Sequence, residues 1–182
     1  MALLKEESYT IEDIYALPDG ERAELIDGHI YYMAPLSYKH QKLVMELSAI
    51  IRNYIKQHKG TCEVLSAPFA VYLGEINNTY VEPDISVICD PNKLDDKGCK
   101  GAPDWIIEIV SPASRKMDYL LKLFKYHSAG VREYWIVDIA KNRITVYNFN
   151  HDYSIEEYSF TDTVKAGIYE DLSIDFSEIN IL

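Results

Sequence analysis

One stretch constrains this chain more than any other: "DWIIEIVS", residues 104–111. An almost continuous apolar run of this length reads as a strand near the centre of a sheet, covered on both faces. One carboxylate, Glu108, interrupts it. A buried carboxylate with no partner is very costly, so Glu108 needs a cation, a proton or hydrogen-bond donors. The identity of that partner is the functional question.

The flanking pattern sets the fold class. "YTIEDIYALP" reads as a short helix with Thr10 as N-cap and Pro18 after its end. "AELIDGHIYYM" reads as a hairpin about Asp27-Gly28. The strongest helix lies in "SYKHQKLVMELSAIIRNYIKQHKG". There Leu43, Leu47, Ile50, Ile51, Tyr54 and Ile55 form one stripe, and Gly60 marks the end. "CEVLSAPFAVYL" and "YVEPDISVICD" each read as a strand, joined by a turn in "GEINNT". Residues 91–103 read as a mobile loop. "SRKMDYLLKLFKYHSAG" reads as a helix ending at Gly130. "REYWIVDI" and "RITVYNF" read as strands, "IEEYSF" as an edge strand, and the C-terminal region as a cap on the sheet. This order gives a mixed α/β, or α+β, domain with a helix on the sheet.

Length and composition bound the function. The 182 residues, 48% of them hydrophobic, fit a single domain over 1–182. No stretch approaches the about 20 apolar residues of a membrane span. The start lacks a signal-peptide pattern, which gives a soluble cytoplasmic protein as the expectation. The three cysteines show no C-x-x-C spacing. That argues against a zinc site or a disulfide framework, and Cys62 and Cys89 read as small core residues. The formal net charge of −11 argues against a broad surface for gripping phosphates. It leaves room for nucleic acid held by a local patch, a dimer or a bound metal, which changes the sign of a site.

Candidate chemistry gathers around Glu108. Asp84 follows a proline in "EPDISVI"; alone it is a strand-entry turn residue. If its strand pairs with that of Glu108, the two carboxylates converge and repel each other. A divalent cation with hard oxygen ligands, Mg²⁺ or Mn²⁺, relieves that repulsion. The alternative is a salt bridge to Arg22, Arg115 or Lys122. Asp118, Lys122 and Tyr126 recur every four residues and share one helix face. Lys122 is therefore either a surface partner or the cation of the acidic cluster. Glu24, in "RAELIDG", reads from spacing as a solvated strand residue. His40 reads as a structural histidine and Asp138 as a turn residue.

The stretches "ELIDGHIYYMAPLSYKHQ", "EPDISVI" and "PDWIIEIVSPASRKMDYLLKLFKYHSAGVREYWIVD", with the strand after the last, carry a resemblance. Over about residues 22–150 the chain resembles the Uma-two family of restriction-endonuclease-like proteins, within the PD-(D/E)XK nuclease superfamily. The resemblance implies a restriction-endonuclease-like fold, a central mixed sheet flanked by helices. It implies metal-binding roles for Asp84 and Glu108, to which the expected mechanism adds the Ile109 carbonyl as a further ligand. It adds Glu24 to the acidic site and makes Lys122 the catalytic lysine. The wider superfamily places that lysine at position 110, which here is Val110. The lysine reads as moved to the next helix, with Lys116 and Lys125 as alternatives.

These readings lead to an expected activity, Mg²⁺- or Mn²⁺-dependent hydrolysis of phosphodiester bonds in DNA, with a homodimer by analogy to restriction enzymes. Two alternatives stand beside it. One is a non-catalytic binding or assembly module on the same fold. The other is a metal-dependent hydrolase of RNA or of smaller phosphate esters.

Overall fold

The computed structural model describes residues 8–74, 78–112, 114–150 and 153–181. The turn expected in "GEINNT" lies partly outside them. Three α-helices form among the described residues: α1 at Ile11–Tyr15, α2 at Tyr38–Gln57 and α3 at Leu123–Ala129. Ser37 caps α2 by accepting the His40 N–H at 3.2 Å. The apolar stripe of α2 buries Leu43, Val44, Leu47, Ile51 and Ile55, while Ile50 and Tyr54 pack at its margins. The helix ends before Gly60, but the left-handed position belongs to Lys59, at φ 54°.

Two six-stranded sheets build the body, so the expected central mixed sheet has a second sheet beside it. The central sheet runs Ser154–Ser159, Arg143–Asn148, Glu133–Asp138, Trp105–Ile109, Ile85–Ile88 and Glu63–Ser66. The second runs His29–Tyr32, Ala23–Ile26, Tyr80–Val81, Val71–Tyr72, Gly98–Lys100 and Leu94–Asp95. Trp105–Ile109 lies inside the central sheet and is buried at every position. Its Trp105, Ile107 and Ile109 pack with α2, and its Ile106 joins the opposite cluster with residues of the second sheet. Burial on both faces is why the sequence is apolar at both parities.

Trp105–Ile109 pairs in parallel with Glu133–Asp138. A parallel pair needs a crossover, and α3 with its preceding turns supplies it. The helix that carries Lys122 is thereby laid across the sheet face that carries Glu108.

The two stretches expected as single strands each break at a proline. A proline has no N–H to give to a ladder. At Pro68 the chain passes from the central sheet (Glu63–Ser66) to the second (Val71–Tyr72). At Pro83 it returns, from Tyr80–Val81 to Ile85–Ile88. Asp84 therefore stands at the junction of the sheets.

Residues 91–103 are not a plain loop. A 3-10 turn at Pro91–Lys93 leads into a hairpin of Leu94–Asp95 and Gly98–Lys100. The Asp95 carboxylate accepts the Lys97 and Gly98 N–H groups, at 2.8 and 3.1 Å, and closes the turn. Gly98 has φ 146°, and a Cβ there would meet the Ala70 carbonyl oxygen at 2.4 Å. The cysteine reading also needs correction, because Cys62 and Cys89 form a disulfide. They flank the cross-strand pair Glu63–Ile88, and the antiparallel register sets them opposite each other. Cys99 is free and buried.

The C-terminal region caps the central sheet, as expected. Val164, Leu172, Ile174 and Phe176 join the cluster containing the α2 stripe. Buried Glu133 ties this cap down, accepting the Ile168 N–H at 2.8 Å and the Trp135 Nε1–H at 2.6 Å.

Two outcomes follow from this packing. Phe176→Ala should destabilise the protein by about 3–5 kcal/mol in urea unfolding, whereas a loss below about 1 kcal/mol would mean that the cap is peripheral. In unfolded, unreduced protein a thiol reagent should label Cys99 alone. Labelling of all three cysteines would contradict the Cys62–Cys89 bond.

Candidate functional site

Asp84 and Glu108 meet because their strands pair. Ile85–Ile88 runs antiparallel to Trp105–Ile109, with Ile85 opposite Ile107. One step further along the same register sets Asp84 opposite Glu108. The Asp84 N–H donates to Glu108 Oε2 at 3.3 Å, and Asp84 Oδ2 accepts the Ile109 N–H at 2.8 Å. Glu24 enters from the second sheet, where its Oε1 accepts the Glu82 N–H at 2.9 Å. It is buried, contrary to the solvated position that its spacing suggested.

The crossover helix supplies the cation. Met117–Lys122 is wound as a π-helix and continues directly into α3. Such segments are uncommon and recur at functional sites. Lys122 is 4% exposed, and its Nζ lies 2.9 Å from both Glu108 Oε1 and Glu24 Oε1. Asp118 Oδ1 is 3.8 Å from the same ammonium. One turn on, the Tyr126 hydroxyl donates to Glu108 Oε1 at 2.7 Å. The shared face of Asp118, Lys122 and Tyr126 thus points inward, while Leu120 and Phe124 stay 62% and 64% exposed.

The other candidate cations are engaged elsewhere. Arg22 pairs with Glu82, Arg115 with Asp138 at 3.0 Å, and Lys125 with Asp27. Lys116 lines an outer groove with Leu120 and Phe124. Val110, where the superfamily pattern would place a lysine, is buried among apolar side chains. Asp138 also accepts the Lys141 N–H at 3.1 Å, which bears out its reading as a turn residue.

Three buried carboxylates, Glu24, Glu108 and Asp118, thus surround one lysine ammonium, and buried Asp84 adjoins them through Glu108. Burial pushes the Glu108 carboxyl up to about 8; Lys122 opposes the rise, and Asp84, Asp118 and Glu24 add to it. Burial likewise raises Asp118 to about 6, against Lys122 and a Ser114 hydrogen bond. Burial by itself would lower Lys122, but Glu108, Glu24 and Asp118 outweigh it and hold the ammonium charged well above the usual lysine range. A protonated Lys122 requires an anionic partner, and every Glu108 contact described here is a donor. These donors support the charged form of Glu108 beside Lys122, and burial works against that form.

A cavity of about 130 Å³ opens onto this cluster, lined by Glu24, His40, Asp84, Glu108, Asp118 and Lys122 among others. Among the described residues, no three His, Cys, Asp or Glu side chains are already gathered as a metal shell. The donor chemistry nevertheless fits a hard divalent cation. Asp84 and Glu108 offer carboxylate oxygens to one cavity, and the cluster carries excess negative charge that a single lysine does not balance.

Sequence reasoning left two polar neighbours without a role. Asp118 was noticed for its spacing only. His40, read as structural, is 3% exposed and sets Nε2 3.0 Å from Asp84 Oδ2. A signal was present, since His40 falls on the same helical stripe as Leu43, Val44 and Leu47, where solvated residues do not belong.

The charge excess sets a pH dependence. Glu108 and Asp118 have folded-state values above their ordinary 4.5 and 3.8. Protons therefore bind the folded state more tightly. The stability they contribute is present in acid and is lost as pH rises through about 6 and then about 8. Lys122→Met removes the compensating charge. It should cost about 3–5 kcal/mol in urea unfolding at pH 8 and distinctly less at pH 5, where the carboxyls take up protons. Equal losses at both pH values would contradict the coupling.

Comparison with known proteins agrees with this architecture. A crystal structure of "a putative nuclease" from Anabaena variabilis is similar over 93% of this chain and 96% of its own, with TM-score 0.76 at 20% identity. At that identity the likeness establishes the fold. An uncharacterized protein of Synechocystis is 29% identical over 133 residues, covering 72% of this chain and 68% of its own length. No helix among the described residues is long and apolar enough to cross a membrane. The sequence model of the Uma2 family, described as "Putative restriction endonuclease", matches residues 11–177, and the chain belongs to that family.

Proposed function

We propose that this protein is a metal-dependent endonuclease that hydrolyses phosphodiester bonds in DNA. One observation carries the reading. A lysine from the crossover helix lies 2.9 Å from Glu108 and from Glu24, in a cavity that Asp84 also lines. Family membership supports a nuclease-type activity.

Asp84, Glu108 and the Ile109 carbonyl would hold one Mg²⁺ or Mn²⁺, with Glu24 joining through water. The bound cation supplies charge stabilisation at the phosphate and lowers the pKa of a coordinated water. The chain's own groups do the remainder. Lys122 orients the attacking water or balances charge that builds on the phosphate. Tyr126 and the Asp84 N–H hold Glu108 in place from opposite oxygens. Cleavage of both strands needs two such sites, which a homodimer would supply.

A second reading treats the cluster as a structural ion network in a non-catalytic module. The contacts of Lys122 with Glu108 and Glu24, without a gathered metal shell, favour it. Activity separates the two readings. Plasmid, single-stranded DNA and RNA should be incubated with the protein and Mg²⁺ or Mn²⁺. The endonuclease reading expects cleavage of DNA that chelator abolishes and that Glu108→Gln and Lys122→Met each slow by about 10²-fold or more. Cleavage of RNA alone would change the substrate. Cleavage unchanged in both variants, or absent from the folded wild type, would leave the structural network.

A further inference from the structure

We infer that His40 is a positioning residue that fixes which oxygen of Asp84 is offered to a cation. The inference rests on the metal reading above and goes beyond it to a group outside the acidic cluster.

The cap of α2 sets His40 in place. Ser37 accepts the His40 N–H, which puts His40 in the first turn, on the stripe that faces the central sheet. From there Nε2 reaches Asp84 Oδ2 at 3.0 Å. The same oxygen accepts the Ile109 N–H at 2.8 Å. Oδ2 is thus occupied from two elements, a helix and the neighbouring strand. Oδ1 takes no hydrogen bond from a described residue, and Asp84 lines the cavity.

Nothing else accounts for the imidazole. Its Nδ1 is buried and has no hydrogen-bond partner among the described residues. The ring makes one polar contact, to the carboxylate, in a position where the helix otherwise carries apolar side chains. Groups that hold a ligand's second atom orient that ligand and tune its strength, and their removal typically weakens metal binding about 10–100-fold. Asp84 Oδ2 already accepts the Ile109 N–H, and the inference assigns Nε2 as the second donor to that oxygen across the 3.0 Å contact.

The test titrates Mn²⁺ into the protein by calorimetry. His40→Ala should weaken binding about 10-fold or more, and His40→Gln, whose amide donor reaches about as far as Nε2, should recover most of it. Leu47→Ala serves as the control for a purely structural effect. It lies on the same stripe, away from the cavity, and should leave Mn²⁺ affinity unchanged. Equal affinity in wild type and His40→Ala would overturn the role of His40 alone. Absence of Mn²⁺ binding in folded wild type would overturn the metal reading and this inference with it. Nitrogen-detected imidazole spectra of the wild type need no variant to fold. They should show His40 protonated at Nε2, and protonation at Nδ1 with a bare Nε2 would overturn the inference.

Discussion

Lys122 Nζ sits 2.9 Å from Glu108 Oε1 and 2.9 Å from Glu24 Oε1, with almost no access to water. Glu108 comes from the central sheet, Glu24 from the second sheet, and Lys122 from the crossover helix. This contact is therefore where three separate parts of the fold are held together. An ion cluster of this kind adds little net stability compared with apolar packing, because each charge gives up its hydration.

The route by which the fold assembles the site is short. A strand buried on both faces fixes Glu108 toward the space between the sheets. Antiparallel pairing brings Asp84 opposite it, at the point where Pro83 breaks the chain's passage between sheets. Parallel pairing of Trp105–Ile109 with Glu133–Asp138 requires a crossover over the same face. The π-helix turn and α3 then present Asp118, Lys122 and Tyr126 inward. A lysine two residues after Glu108, at position 110, would share its face of the strand. Val110 fills that place with packing, and the ammonium arrives from the helix instead.

Much of this was legible in the sequence, for physical reasons. The apolar run around Glu108 announced burial on both faces, and the four-residue spacing announced a common face for Lys122 and Tyr126. Periodicity says nothing about which distant segments meet, so Glu24 looked solvated, although its own strand in the second sheet brings it to Lys122. Prolines at 68 and 83 were visible, but their consequence, a change of sheet, depends on pairing partners that local pattern does not encode. Cys62 and Cys89 were hidden in the same way, because only strand register brings them together. The hairpin inside residues 91–103 rests on an Asp95 turn and a close approach at Gly98, which in sequence look like any polar loop. His40 was readable from its place on an apolar stripe, but its partner was not.

The central claim is that Asp84 and Glu108 form one cation site beside a lysine that has moved from the strand to the helix. Anomalous diffraction from crystals soaked in Mn²⁺ tests it most directly. The account predicts a manganese peak bonded to oxygens of both Asp84 and Glu108, with Lys122 within reach of the coordinated water. A peak elsewhere, or an empty site with Lys122 still held by Glu108 and Glu24, would contradict it.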